Sequence, residues 1–307
     1  MGTPQDDHGT LDKIINEWTS DKDQDSVSVI TDHNGKTLSY IPYNGHYLPA
    51  VKGIRENIER GDEFVSRPDD IWICCYAKSG THWLWEIVHM LLGNSTDYTS
   101  KPKETTQFDF HDAASFTNLP SPRVFNCALW WHQLPRDVIQ KKSKILHCMR
   151  NPKDVAVSYY LHTKELHSVY QYSGSWEGWV QLFTEGKVVR GSWFDYEMEW
   201  SKEGGKDENV LTLMYEDLKK DLVSEIKVIA HFLGVSLPES RYLEMADRCS
   251  FGTMKQCKQM SEMENKIMYR KGQVGDWKNW FTVTQNEKFD AVYKAWLESG
   301  GPAMCFG

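Results

Sequence analysis

Lys78, Ser79, Gly80 and Thr81 stand together in the stretch YAKSGTHW, and these types in this order suit the binding of a phosphate. A lysine brings a mobile point charge, two hydroxyls donate hydrogen bonds, and glycine lets the backbone come close to an anion. Alone, the four residues fit equally well a strand-to-helix turn with a solvated lysine. Two further groups have the same character. Arg150 and, eight residues on, Ser158 could bring a guanidinium and a hydroxyl to a second anion, although Arg150 also reads as an ordinary strand-end charge. Arg270, Lys271 and Gly272, in RKGQVGDWKNWF, set two cations beside a glycine. The whole chain has 35 basic and 43 acidic residues, a net charge of −8. Positive charge gathered at three turns of an acidic chain points to a multiply phosphorylated small molecule, and the net charge excludes the uniformly basic surface of a non-specific nucleic-acid binder.

The elements around these residues are those that present phosphate sites. Residues 71–76 (IWICCY) read as a buried strand, and Thr81 caps a helix with apolar positions Leu84, Ile87, Val88, Leu91 and Leu92, stopped by Gly93. A strand, a glycine turn and a helix N-terminus aim unpaired N–H groups and the positive end of the helix dipole at one spot. Residues 144–149 (KILHCM) form a second strand, with Asn151 as N-cap and Pro152 at the first helical position. Residues 210–215 (VLTLMY) form a third, before a helix carrying Leu222, Ile226, Ile229, Phe232 and Leu233 that ends at Gly234. RKGQVGDW is a loop, and residues 286–297 read as helix. Strands alternating with helices predict a single α/β domain with a central parallel sheet flanked by helices and a P-loop-like phosphate-binding turn, over residues 31–307. Residues 1–30 read as a loosely ordered arm with one amphipathic stretch around Leu11, Ile14, Ile15 and Trp18.

At 307 residues, 40% hydrophobic and 25% charged, the chain has the composition of an ordinary globular protein. The 13 Trp, 14 Tyr and 12 Phe point to aromatic-lined cavities as well as core. Seven cysteines without a CxxC pair suggest free thiols, with neither a disulfide framework nor a zinc site, and no metal is implied. No apolar run reaches the ~18 to 20 residues of a membrane span, and the first residues lack a signal-peptide pattern, so a cytoplasmic location is expected.

YAKSGTHW (76–83), RNPKDVAVSYY (150–160), YEDL (215–218), SFGTMK (250–255) and RKGQVGDWKNWFT (270–282) closely resemble, in order and spacing, the signatures of the cytosolic sulfotransferases. The resemblance runs from about Asp32 to Leu297. It implies transfer of a sulfuryl group from 3′-phosphoadenosine-5′-phosphosulfate (PAPS), without a metal, to a hydroxyl or amine of a small acceptor, leaving 3′-phosphoadenosine-5′-phosphate (PAP). By position, Lys78, Ser79, Gly80 and Thr81, with His82 beside them, would hold the 5′-phosphate. Arg150, Ser158, Arg270, Lys271 and Gly272 would hold the 3′-phosphate. Trp83, Tyr215, Phe251 and Met254, next to Ser250, would surround the adenine, where stacking contributes roughly 1 to 3 kcal/mol. Each of these aromatics taken singly could also be core. Cys249 stands where the family usually has threonine. Lys278, Thr282, Val283 and Glu287 match the family's dimerisation signature and imply a small homodimer contact.

The resemblance breaks at the catalytic histidine. The family carries it in a K-T-H-L-P or S-S-H-L-P stretch shortly after S-P-R; here SPRVFNCALWWHQLP puts Asn126 at the lysine, Ala128 at the histidine and Trp130 at the proline. Alanine accepts no proton, and general-base catalysis contributes ~10²- to 10⁴-fold. Sulfation of an alcohol should suffer most, and that of an acidic or phenolic hydroxyl least. His82, which replaces the second threonine of the usual phosphate turn, His132 and Cys127 are candidate substitutes, and with Lys78 and Ser158 His82 completes the expected catalytic set. The expected acceptor pocket comprises Phe108, Phe110, His111, Phe116, Ala128, Trp130, Trp131 and Met263. Three readings follow: a PAPS-dependent sulfotransferase with an altered proton step, a catalytically weakened protein that binds PAPS or PAP and an aromatic ligand, or the same fold turned to another reaction.

Overall fold

The computed structural model describes residues 10–20, 26–258, 266–268 and 270–304. A parallel sheet of four strands, β4 (Ile71–Cys74), β5 (Val124–Cys127), β6 (Lys144–Met149) and β7 (Val210–Met214), lies at its centre in the order β5-β4-β6-β7. A small antiparallel sheet of β1 (Ser28–Thr31), β2 (Thr37–Tyr43) and β3 (His46–Leu48) is separate in hydrogen bonding, yet its Leu38, Ile41 and Leu48 join the same core as Trp72.

Alternation along each central strand builds two cores. Trp72 and Cys74 of β4 join Phe125 and Cys127 of β5 on one face, while Ile71 and Ile73 join Val124 and Leu146 on the other. The helices Pro152–Glu165, Trp176–Thr184 and Val283–Glu298 supply residues to the first core, and Thr81–Gly93 and Leu222–Leu233 to the second. Both faces of the sheet are therefore covered, as a parallel sheet requires. Strand β4, with β5 on one side and β6 on the other, marks the point where chain order reverses, and ligands of such sheets bind outside the carboxyl ends there.

Two parts of the fold were not legible beforehand. Strand β5 is four residues with a central asparagine, too short for periodicity to reveal, and it pairs in register with β4 at Ile71↔Val124 through Cys74↔Cys127. Within the segment expected as a loosely ordered arm, residues Thr10–Thr19 form a helix, and its Leu11 and Ile15 are buried against Ile267. The apolar spacing that suggested amphipathicity thus finds a partner far away in sequence, which local reading cannot supply.

Candidate active site

The turn after β4 is shaped by two left-handed residues, Lys78 (φ 69°) and Gly80 (φ 116°), the second serving as N-cap of the helix Thr81–Gly93. For lysine this backbone region is costly, and such strain persists where the surroundings enforce it. Its consequence is that Lys78 projects into a cavity of about 240 Å³ at the carboxyl ends of the strands. There its ammonium donates to the carbonyl of Ile267 at 3.0 Å and lies 3.4 Å from His162 Nδ1. Burial, with Lys103 and Arg150 nearby, brings the Lys78 pKa down to about 7.

Arg150, at the end of β6, donates to the carbonyl of Lys78 at 3.0 Å and lies 4.2 Å over the ring of Tyr215. Its Nε and the Oγ of Ser79 are buried without a hydrogen-bond partner among the described residues. Orphaned donors in a buried, cationic turn are what incoming phosphate oxygens would satisfy. Ser158 follows on the helix Pro152–Glu165 and lines the same cavity, as do Thr81 and His82.

A second wall is aromatic. Trp83 packs edge-on to Tyr215 with centroids 5.4 Å apart, and its indole N–H donates to the carbonyl of Cys249 at 2.8 Å. Because only that backbone carbonyl takes part, the side chain at 249 supplies no hydroxyl and is not needed for this contact. Phe251 and Met254 complete the wall, and Lys219 lies over both Trp83 and Phe251. Gly272, at φ +60°, approaches so closely that a Cβ there would fall 2.1 Å from the Phe251 ring. Arg270 and Lys271 line the cavity while donating to Asp276 at 2.6 and 2.8 Å. Burial alone would raise the Asp276 pKa, yet hydrogen bonds from Lys271, Arg270 and Asn279 hold it down at about 2. Asp276 is thus an anchor that keeps both cations turned to one place.

The same cavity continues into an apolar chamber. Leu11, Ile15, Trp18, Phe110, Leu166, Val169 and Ile267 line it, and Ala128 opens onto it from the end of β5. The wall also carries Lys103 and Glu104, an ion pair at 2.5 Å with only 14% and 7% of their side chains exposed.

Several residues expected at the acceptor lie elsewhere. Phe108 and Phe116 are 2% exposed and pack in the aromatic core with Phe64, Trp72 and Phe125, so their aromaticity served burial. Trp130 packs on His46 and Tyr196, Trp131 on Trp200, and neither lines the cavity. His111 stands behind the wall, its Nε2 donating to the carbonyl of Glu104 at 2.8 Å. Ser250 caps the helix Phe251–Cys257 and is not part of the lining. His132 bonds to Glu199 at 2.8 Å on the surface. Cys127, by contrast, lines the cavity beside Ala128, with its Sγ 3.5 Å from Cys74 Sγ on the neighbouring strand. Met263 lies outside the described residues. His82 is in place, but burial and the charges of Lys258, Lys103 and Lys78 push its pKa well below the usual range.

The residues that sequence reading passed over are Lys103, Glu104, Asp276 and His162. His162 had a signal, since it stands four residues after Ser158 on one helix face. Lys103 and Glu104 had none, because they sit in a short turn without periodicity. No group of three or more His, Cys, Asp or Glu suited to a metal occurs among the described residues.

Comparison with known proteins adds an independent finding. Residues 68–301 match the sulfotransferase domain family. Sulfotransferase 1B1 of Mus musculus is 37% identical over 270 residues, covering 81% of this chain and 89% of the relative. Sulfotransferase 1C2 of Homo sapiens is 32% identical over 298 residues, covering 90% and 98%. The crystal structure of mouse sulfotransferase SULT7A1 complexed with PAP superimposes with a TM-score of 0.73 at 32% identity, covering 86% of this chain and 95% of that one.

Proposed function

The chain belongs to the sulfotransferase family, and from that premise we propose that it moves the sulfuryl group of PAPS to the hydroxyl of a small apolar acceptor. The observation that supports this reading best is the single cavity in which buried cations and orphaned donors meet an apolar chamber. Lys78, Ser79, Gly80, Thr81 and His82 hold the 5′ end, Arg150, Ser158, Arg270, Lys271 and Gly272 the 3′-phosphate, and Trp83, Tyr215, Phe251 and Met254 the adenine. PAPS supplies the activated sulfuryl group when bound. The chain's own contribution is alignment and charge, with Lys78 placed to oppose the charge that gathers on the leaving phosphate.

Acceptor acidity then governs the rate, because Ala128 presents no imidazole to the hydroxyl proton. We expect acidic phenols to be sulfated faster than aliphatic alcohols, because position 128 supplies no imidazole and an acidic hydroxyl needs a general base least. Radiolabelled sulfate transfer from PAPS to a phenol series and to alcohols measures it, with Ala128→His expected to raise the alcohol rate. Equal rates for both classes would remove the acceptor-acidity account. A second reading, a protein that binds the nucleotide and an aromatic ligand without turnover, is favoured by Ala128 alone, and transfer to no acceptor would select it. We further propose a cytoplasmic location, tested by fractionation; no helix among the described residues is long and apolar enough to cross a membrane.

A further inference from the structure

We infer that Glu104 is the catalytic base of this chain and that Lys103 is its charge partner, together taking over the work of the missing histidine and lysine at 128 and 126. The inference rests on the sulfotransferase reading above. Both side chains line the cavity beside Lys78 and Ala128. A carboxylate on a side chain only 7% exposed in a wall of a substrate cavity is expensive to desolvate, and Lys103 Nζ at 2.5 Å from Oε1 offsets only part of that cost. Among the described residues, the hydrogen bond to this carboxylate is the one that Oε1 accepts from Lys103, which leaves Oε2 to take a proton.

The turn that carries the pair is fixed from behind. Asn126, standing where the family has lysine, donates its Nδ2 to the carbonyl of Lys103 at 2.6 Å. His111 Nε2 donates to the carbonyl of Glu104 at 2.8 Å, and Gln107 N donates to the same oxygen at 3.3 Å. The replacement at 126 therefore does a specific job: a lysine is removed from the strand, and the amide left in its place ties down a neighbouring turn that brings another lysine and a carboxylate into the cavity.

The step balances as follows. The acceptor oxygen forms its bond to sulfur while its proton passes to Glu104 Oε2, and the sulfur–oxygen bond to the 5′-phosphate breaks with its electron pair left on that phosphate. Glu104, now neutral, releases the ammonium of Lys103 from its ion pair, which adds to the positive field of Lys78. The proton leaves to solvent after the sulfate ester departs.

The test is Glu104→Gln, close to isosteric, assayed with an aliphatic alcohol and with 4-nitrophenol, alongside PAP-induced melting shifts. Glu104 as base predicts a kcat loss of ~10²-fold or more for the alcohol, a much smaller loss for the nitrophenol, and KM for each acceptor within about twofold. The melting shift with PAP should equal that of the wild type, and adding Ala128→His to Glu104→Gln should restore alcohol turnover. Glu104→Asp, which keeps a carboxylate one methylene shorter, should retain more of the alcohol rate than Glu104→Gln and keep wild-type PAP binding even if Glu104→Gln folds poorly. Unchanged alcohol turnover in Glu104→Gln, equal losses for both acceptors, or an alcohol rate in Glu104→Asp no higher than in Glu104→Gln would overturn the assignment while leaving the transfer reading intact. A wild-type chain that binds PAP and transfers sulfate to nothing would overturn both.

Discussion

Lys78 concentrates the electrostatic problem of this site. A buried ammonium whose pKa is brought down to about 7 is half neutral at that pH in the free protein. A bound phosphate favours the charged form, so binding raises that pKa and must draw in a proton wherever the free lysine is neutral. The sign of the Lys78 contribution is therefore fixed: PAP affinity should fall by up to tenfold per pH unit above 7. Calorimetry at pH 7.5 in buffers of different ionisation enthalpy should show net proton uptake on binding. Lys78→Arg, charged throughout, should abolish that part of the uptake. A pH-independent affinity for the wild type would contradict the role given to Lys78. Legibility at this scale was uneven in a way that has a cause. Lys78, Arg150 and Gly272 could be read because phosphate chemistry demands cations and glycine at turns. Glu104 and Asp276 could not, because a lone carboxylate in a loop looks like any solvated charge until distant residues surround it. Four of the aromatic residues expected at the acceptor, Phe108, Phe116, Trp130 and Trp131, failed for the opposite reason, since they satisfy packing as well as they would a pocket.

The strand ends and helix starts were readable because each carries its own punctuation. Asn151 with Pro152 opens one helix, and Gly234 closes another at φ 77°. The N-terminal helix and β5 depend on long-range partners, and no local pattern reports those. A third element, the segment leading into the helix Val283–Glu298, is built for exposure. Thr282 and Gln285 form a capping box, and Val283 just inside it is 75% exposed, an uncommon place for a β-branched apolar residue. We propose that this turn, with Lys278 and Glu287, is the contact of a small homodimer. Sedimentation equilibrium should show a wild-type dimer, with the dimer dissociation constant of Val283→Glu raised at least tenfold and PAP binding unchanged. A monomer at all concentrations, or an equally stable dimer in the variant, would remove the proposal.

Across the whole molecule, an acidic chain gathers cations from β4, β6 and the 270–272 loop into one cavity, which a parallel sheet makes possible by ending all its strands on the same side. Such convergence is matched by a ligand with two phosphates on one sugar beside a flat base, because like charges so close repel one another in its absence. Titration calorimetry of the purified protein with PAP tests this most directly. The account predicts saturation at one PAP per chain, weakened at least tenfold in Arg270→Ala and in Arg150→Ala. Absence of saturable heat in the wild type, or binding equally tight in both variants, would contradict it.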